Sequence, residues 1–387
     1  MRIAFVLHYS DSLTGASIAF IRMLQGLMPL GVIPYVIVPD RKGIYETLDN
    51  MAVHTLVLNY RPSIYSHCRT FKECLLWIPR MISKIIVNKL AEKKIAKYLI
   101  ENEIDLVHTN VGIINVGYHA ARSVGIPHIY HIREYVDILV PYFPSINSFY
   151  KQFDGMSSYS ICITKDIQKH LHFNDKDRSR VIYDPIFSSS YSFQCSESKD
   201  YFLFVGRIEP VKGFDLLLQS YNEYVKKTTS PLRLLVAGKI GNNPYVEQQL
   251  KFIQNNQLSS FVELLGECNE VGELMRQARA IVIPSRHEGF GFCMPEAMLK
   301  GCLVIANNVG GTKEQLDNGL ELEGQEIALR YETIEDLTRL LLEVSSHSKE
   351  DYIPYIERAY HTVNSLYSLK RHAAEVCSFY QEILTPY

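Results

Sequence analysis

Short apolar, β-rich runs recur along the chain, and polar stretches with helical spacing lie between most of them. The first half carries such runs at "RIAFVL" (2–7), "PYVIVP" (34–39), "VHTLVLN" (53–59), "DLVHTN" (105–110), "PHIYHI" (127–132), "YSICIT" (159–164) and "RVIYDP" (180–185). This alternation predicts an open α/β sheet. At 186–200 the text becomes "IFSSSYSFQCSESKD", polar and without period, which reads as a linker. The alternation restarts with "YFLFVG" (201–206), "LRLLVAG" (232–238), "FVELLG" (261–266), "AIVIPS" (280–285), "CLVIANN" (302–308) and "EIALR" (326–330). Two Rossmann-like, doubly wound domains are therefore expected, 1–188 and 199–368, facing across a cleft that is the default ligand site. Leu369, Ala373, Val376, Tyr380 and Ile383 share one helical face in 369–387. That face can pack on its own domain or cross back to complete the first.

Composition narrows the function classes. The 387 residues suit two domains, and a formal charge of −2 lacks the basic footprint of a nucleic-acid binder. Eight scattered cysteines form no C-x-x-C pair, and thirteen histidines give no H-E-x-x-H, so no metal site is expected and a reducing cytosol is. Neither the N-terminus nor any other segment has the apolar length of a signal peptide or a membrane span. A cytoplasmic protein is expected, at most a visitor to the inner membrane face.

The densest chemistry lies in "SRHEGFGFCMPEAMLKG", 285–301. An apolar strand should end here at the carboxyl edge of a parallel sheet, where α/β proteins bind ligands. Gly289 and Gly291 let the backbone approach a ligand closely, Pro295 suits a first helical turn, and Gly301 suits a helix end. Such a helix start attracts phosphate. Glu296 would favour the helix dipole, but a carboxylate also accepts two hydrogen bonds from adjacent hydroxyls, as a ribose diol offers. Glu288, on the loop itself, would repel a phosphate unless it faced an uncharged part of the ligand, such as a second sugar. In "FLFVGRIEPVKGFDLLLQSY", Arg207 and Lys212 follow a strand end, a placement that suits a diphosphate. Gly310 and Gly311 form a further turn, with Thr312 as a candidate helix cap.

These residues resemble a family. "VGRIEPVKGFDLLLQSY" with "SRHEGFGFCMPEAMLKGCLVIANNVGG" is similar to retaining glycosyltransferases of family 4, glycosyl transferases group 1, of bacterial polysaccharide type, including the E-x7-E spacing from Glu288 to Glu296. The resemblance is strong over 200–316 and traceable in the N-terminal half. It implies a GT-B architecture and transfer of a sugar from a nucleotide-diphosphate donor to a glycan or lipid-linked glycan, without a bound metal or other cofactor. By this resemblance Arg207 and Lys212 would neutralise the pyrophosphate, Glu296 would hold the ribose, and Glu288 would contact the transferred sugar. Phe290, Gly291 and Phe292 would line the donor pocket, and Gly15 would lie on a loop facing the donor phosphates. Thr14 is the candidate cap there, and Ala16 stands where many members have a second glycine. In "PHIYHIREYVD", His131 would lie near the transferred sugar, with Arg133 and Glu134 toward the acceptor. The resemblance also implies that the C-terminal helix crosses back to the first domain. Asp184 carries no functional expectation, and Cys293 reads as a bystander.

Segment 71–101 interleaves lysines with large apolar residues. It reads either as a domain helix with a solvated basic face or as an interfacial helix for anionic lipid, with Lys84, Lys89, Lys93 and Lys94 as the contacts. Pro79 should break or begin a helix there. Two rivals stand beside the transferase: a sugar-nucleotide epimerase of the same architecture and a non-catalytic sugar-nucleotide-binding protein. A dinucleotide dehydrogenase is disfavoured, since "GFGFCM" lacks the third glycine of its fingerprint.

Overall fold

A computed structural model describes residues 1–8, 15–65, 68, 70–138, 142–153, 157–173, 177–186 and 199–385. Thr14, Cys195 and most of the expected linker lie outside the described residues. The chain divides into two compact units, Met1–Pro185 with Leu369–Tyr387, and Ile186–Ser368.

Among the described residues the first unit holds seven strands: β1 Arg2–Val6, β2 Ile33–Val38, β3 His54–Val57, β4 Leu106–Thr109, β5 His128–Ile132, β6 Ser158–Cys162 and β7 Ser179–Val181. They pair in parallel in the order β3-β2-β1-β4-β5-β6-β7. Every residue of β4 and β5 is buried. Burial on both faces is why these strands are apolar runs rather than alternating ones.

The C-terminal helix Leu369–Leu384 belongs to this unit. Its buried face places Ala373, Val376, Phe379, Tyr380 and Ile383 in one core with Phe5, Leu24 and Leu27. The approach to the helix Gly15–Leu27 is close: a Cβ on Gly26 would sit 2.7 Å from the Cβ of Ala373.

The helix Trp77–Glu101 begins rather than breaks around Pro79, which occupies its first turn, where a missing N–H costs nothing. It buries Met81, Lys84, Asn88, Ala91, Ile95 and Leu99, one face at three- and four-residue steps. Lys84 therefore corrects an expectation. It is not a surface charge: its Nζ donates to the Ile64 carbonyl and lies 5.5 Å from the centre of the Phe143 ring.

The second unit holds β8 Tyr201–Val205, β9 Arg233–Ala237, β10 Val262–Gly266, β11 Ala280–Ile283, β12 Val304–Asn307 and β13 Leu329–Tyr331. These also pair in parallel, in the order β10-β9-β8-β11-β12-β13. The strand order reverses between β8 and β11. That reversal opens a crevice at the carboxyl ends of the two strands.

Candidate functional site

The exits of β8 and β11 carry the residues singled out in the second unit. After β8 the chain passes Gly206 and Arg207, makes a short 3-10 turn at Pro210–Lys212, and enters the helix Phe214–Lys227 through Gly213. Gly213 has φ +66°, and a Cβ there would sit 1.9 Å from the Pro284 carbonyl oxygen. Only glycine lets this turn lie directly on the backbone leaving β11.

The two loops are tied by side chains as well. Lys212 Nζ donates to Glu288 Oε1 at 2.6 Å, and Ser285 Oγ donates to the same oxygen at 2.7 Å. Arg286 forks onto Asp215 with Nη1 to Oδ1 at 2.7 Å and Nη2 to Oδ2 at 2.6 Å. It also donates from Nη1 to the Pro210 carbonyl at 2.7 Å, while Tyr245 donates its hydroxyl to Asp215 at 2.7 Å. Burial alone would raise the Asp215 pKa, but the Arg286 fork and the Tyr245 hydroxyl bring it below the ordinary carboxylate value. Arg286 and Asp215 thus clasp the loop of Lys212 to the loop of Glu288. Arg207 is exposed and pairs with Glu209 at 2.9 Å.

Gly291 has φ +83°, and the helix Cys293–Leu299 follows with Glu296 in its first turn. Gly301, at φ +66°, lies past the helix end. The Phe290 side chain is buried, 5.2 Å from the ring of Tyr367 and 5.5 Å from that of Phe292. The Phe290 carbonyl accepts from Gln315 Nε2. The Cys293 thiol is pushed up, first by burial and then by the Glu296 carboxylate, with Lys212 opposing and Glu288 adding. Glu288, Glu296 and Lys212 therefore all act on this one sulfur, and a thiol so held is a poor nucleophile.

The helix Gly310–Glu323 starts at its glycines, with Val309 as cap residue. This corrects the expectation for Thr312, which lies inside the helix, buried, and makes no cap. The glycines had already turned the backbone helical before the threonine was reached. The Gly311 N–H donates to the Glu288 carbonyl at 2.9 Å, and a Cβ on Gly311 would sit 2.1 Å from the Gly289 carbonyl oxygen. This helix start thus pins the backbone of the Glu288 loop.

In the first unit, Gly15 opens the helix Gly15–Leu27, and the Ala16 carbonyl accepts from Asn110 Nδ2 at 3.3 Å. His131, on β5, is fully buried. Its Nδ1 lies 3.1 Å from His108 Nε2 and 3.3 Å from Arg133 Nη2. Arg133 is buried and pairs with Asp184, which also lies 3.8 Å from His131 Nε2. Burial brings the Arg133 guanidinium down to about 9, with Glu134 opposing. Glu134 is half-buried, accepts from the Gly112 N–H at 2.9 Å, and is pushed up to about 7, chiefly by burial. The Tyr380 hydroxyl, from the C-terminal helix, closes the network 2.6 Å from His108 Nδ1.

A pH dependence follows from this cluster. Burial is the first cause that lowers His108, His128, His131 and His372, with His128 and His372 falling to about 3. Unfolded histidines titrate near 6.5, so as the pH falls below that value the unfolded chain takes up protons that the fold refuses. Each histidine then removes up to ~1.4 kcal/mol of stability per pH unit until its folded value is reached. Glu134 runs the other way. Its stabilising contribution is present below its unfolded value near 4.5 and is lost as the pH rises through about 7, so it offsets roughly one histidine in that window. The first unit is expected to melt at a clearly lower temperature at pH 5 than at pH 7.5 by calorimetry. Equal melting at the two values would mean that these imidazoles are not held neutral.

Asp184, Arg286 and Asp215 are the residues that sequence reasoning missed. Arg286 lies inside the stretch that drew attention, immediately before His287-Glu288, and a cation in that loop was the available signal. Asp184 gave no local signal. Among the described residues no group of three His, Cys, Asp or Glu side chains gathers as a metal site, and no helix is long and apolar enough to cross a membrane.

Residues 191–361 match the model of the family described as glycosyl transferases group 1. An uncharacterized glycosyltransferase of Methanocaldococcus jannaschii is 32% identical over 231 residues, 58% of this chain and 62% of that protein. The O-antigen chain mannosyltransferase of Salmonella typhimurium is 30% identical over 147 residues, 38% of this chain and 40% of that protein. The chain thus spans less than two thirds of the length of these curated relatives. Among solved structures, the Anabaena protein HepE in complex with UDP superposes with a TM-score of 0.77 at 18% identity, covering 99% of this chain and all of that one. This likeness shows the fold, α/β of the GT-B class. The match to the glycosyl transferases group 1 model thus falls within the second unit, Ile186–Ser368.

Proposed function

We propose that the protein is a retaining glycosyltransferase that moves a sugar from a nucleotide-diphosphate donor to a hydroxyl of a glycan or lipid-linked glycan. The observation that carries the reading is the Lys212–Glu288 pair, set beside Arg207 where the strand order of the second sheet reverses. A cation and a carboxylate there suit a ligand that is charged in one part and hydroxylated in another.

In this reading the second unit binds the donor. Arg207 and Lys212 take the diphosphate, Glu296 the ribose and Glu288 the hydroxyls of the transferred sugar. Gly291, Phe290 and Phe292 shape the loop between the carboxylates. In the first unit His131 is assigned to the transferred sugar and Arg133 and Glu134 to the acceptor, while Gly15 serves the donor phosphates. No side chain is assigned as a nucleophile. When the bond from the sugar to the diphosphate breaks, the departing charge is stabilised by fixed cations and helix N–H groups, and the rate comes from positioning. Two cations serve where other transferases use a metal. The UDP in the Anabaena structure supports a nucleotide site, and the Salmonella relative supports a role in surface polysaccharide synthesis. Such a donor also implies that the enzyme works in the cytoplasm.

Thermal denaturation with UDP-, GDP- and ADP-sugars tests the reading. One donor class should raise the melting temperature, since ligand at a hundred times its Kd adds about 2.7 kcal/mol. That donor should then support transfer to a glycan acceptor with the anomeric configuration kept. Absence of stabilisation by every sugar nucleotide would remove the basis of the proposal, and an epimer formed without acceptor would replace it.

A further inference from the structure

The outward face of the helical segment 71–101 is divided along its length. Phe71, Leu75, Ile78, Ile82, Ile86 and Leu90 are each more than half exposed. Ile78, Ile82, Ile86 and Leu90 follow one another at four-residue steps, so they form a ridge along the helix Trp77–Glu101, preceded by Phe71 and Leu75 on the helix Phe71–Leu75. From Ile78 to Leu90 the ridge runs ~18 Å. Lys89 lies beside its last residue, and beyond it Lys93 and Lys97 continue at four-residue steps, all exposed, with Lys94 beside them and exposed Ile100 at the end. The opposite face is the buried one already described, so the ridge is not surplus core. Segment 71–101 carries seven lysines and arginines against three glutamates, in a chain whose net charge is −2.

From this division we infer that the segment docks the protein on an anionic lipid bilayer, with the apolar ridge entering the acyl boundary and the lysines meeting the phosphate headgroups. A protein partner fits less well. Lysine is depleted from interface cores, whereas at a membrane its long stem lies on apolar surface while the ammonium reaches the headgroups. Trp77, half-buried and stacked on Tyr65 at 5.8 Å, shares the phase of the buried face and is not part of the ridge. The lysines already have acidic neighbours, Lys89 with Glu92 at 2.7 Å and Lys97 with Glu101 at 3.4 Å, but exposed pairs of this kind hold their partners weakly. The inference does not depend on the transferase reading, because it uses neither the donor residues nor an acceptor.

Vesicles of equal parts phosphatidylglycerol and phosphatidylcholine provide the test, read by co-sedimentation. The full chain should sediment with these vesicles and release as salt is raised. Ile82→Glu/Ile86→Glu should abolish binding, and Lys93→Ala/Lys97→Ala should weaken it about fivefold for each lysine removed. These side chains are exposed, so both variants should melt as the parent does. Three results would overturn the inference: a parent chain that stays in the supernatant, full binding by the isoleucine variant, or a parent dimer that the isoleucine variant dissociates in sedimentation velocity. The last would assign the ridge to a second copy of the chain.

Discussion

Glu288→Gln is expected to lower sugar transfer by about 10²–10³-fold, the loss typical of a polar group fixed against the reacting part of a substrate. Glutamine keeps the size of the side chain and a carbonyl oxygen for Ser285 Oγ, but it removes the charge that faces Lys212 at 2.6 Å. Lys212→Ala should fall as far, since it removes the cation assigned to the diphosphate. Neither change should unfold the protein. Both partners are partly open to solvent, and the loop stays pinned by the Gly311 N–H and the Arg286–Asp215 fork. Loss of such a pair costs on the order of 1 kcal/mol. Initial rates at saturating donor, set beside a thermal melt, separate the two effects. Near-parental rates in both variants would end the assignment of this pair to catalysis.

Asp184→Ala is expected to have the largest effect on stability, about 3–5 kcal/mol, because it strands the Arg133 guanidinium inside the first unit. Asn110 and His131, each 3.3 Å from Arg133 Nη2, then remain as its hydrogen-bond neighbours, and neither carries a compensating negative charge. Replacing both partners with apolar side chains, Arg133→Met with Asp184→Leu, should recover much of the loss, because the cost lies in the unpaired charge rather than in the absent bond. Urea unfolding of the parent, the single variant and the double variant gives the comparison. If Asp184→Ala unfolds with the parent's midpoint, the ion pair does not hold this region together.

Why some of this was legible and some was not follows from the range of the interactions. All thirteen apolar runs named from the sequence overlap a strand, since a parallel strand covered on both faces writes its burial into consecutive residues. The turns at Gly213 and Gly291 were legible for the same local reason. Arg286 and Asp215 stand 71 residues apart, and Arg133 and Asp184 stand 51 apart, so no local pattern links either pair. Lys84 was misread through charge alone. Its phase with Met81, Asn88, Ala91 and Ile95 was present in the sequence and marks it as inward-facing. Thr312 failed because two glycines before it had already set the helical turn.

The return of the C-terminal helix to the first unit has a consequence for synthesis on the ribosome. The last strand of that unit ends at Val181, but Tyr380, whose hydroxyl meets His108, follows roughly 200 residues later. At ~5–20 residues per second the delay is ~10–40 s. During that interval the nascent first unit holds every one of its strands yet leaves Phe5, Leu24 and Leu27 without the side chains that cover them. The unit that emerges first is thus completed last. A nascent chain stalled before Leu369 would present chaperones with a finished second unit tethered to an uncovered apolar core.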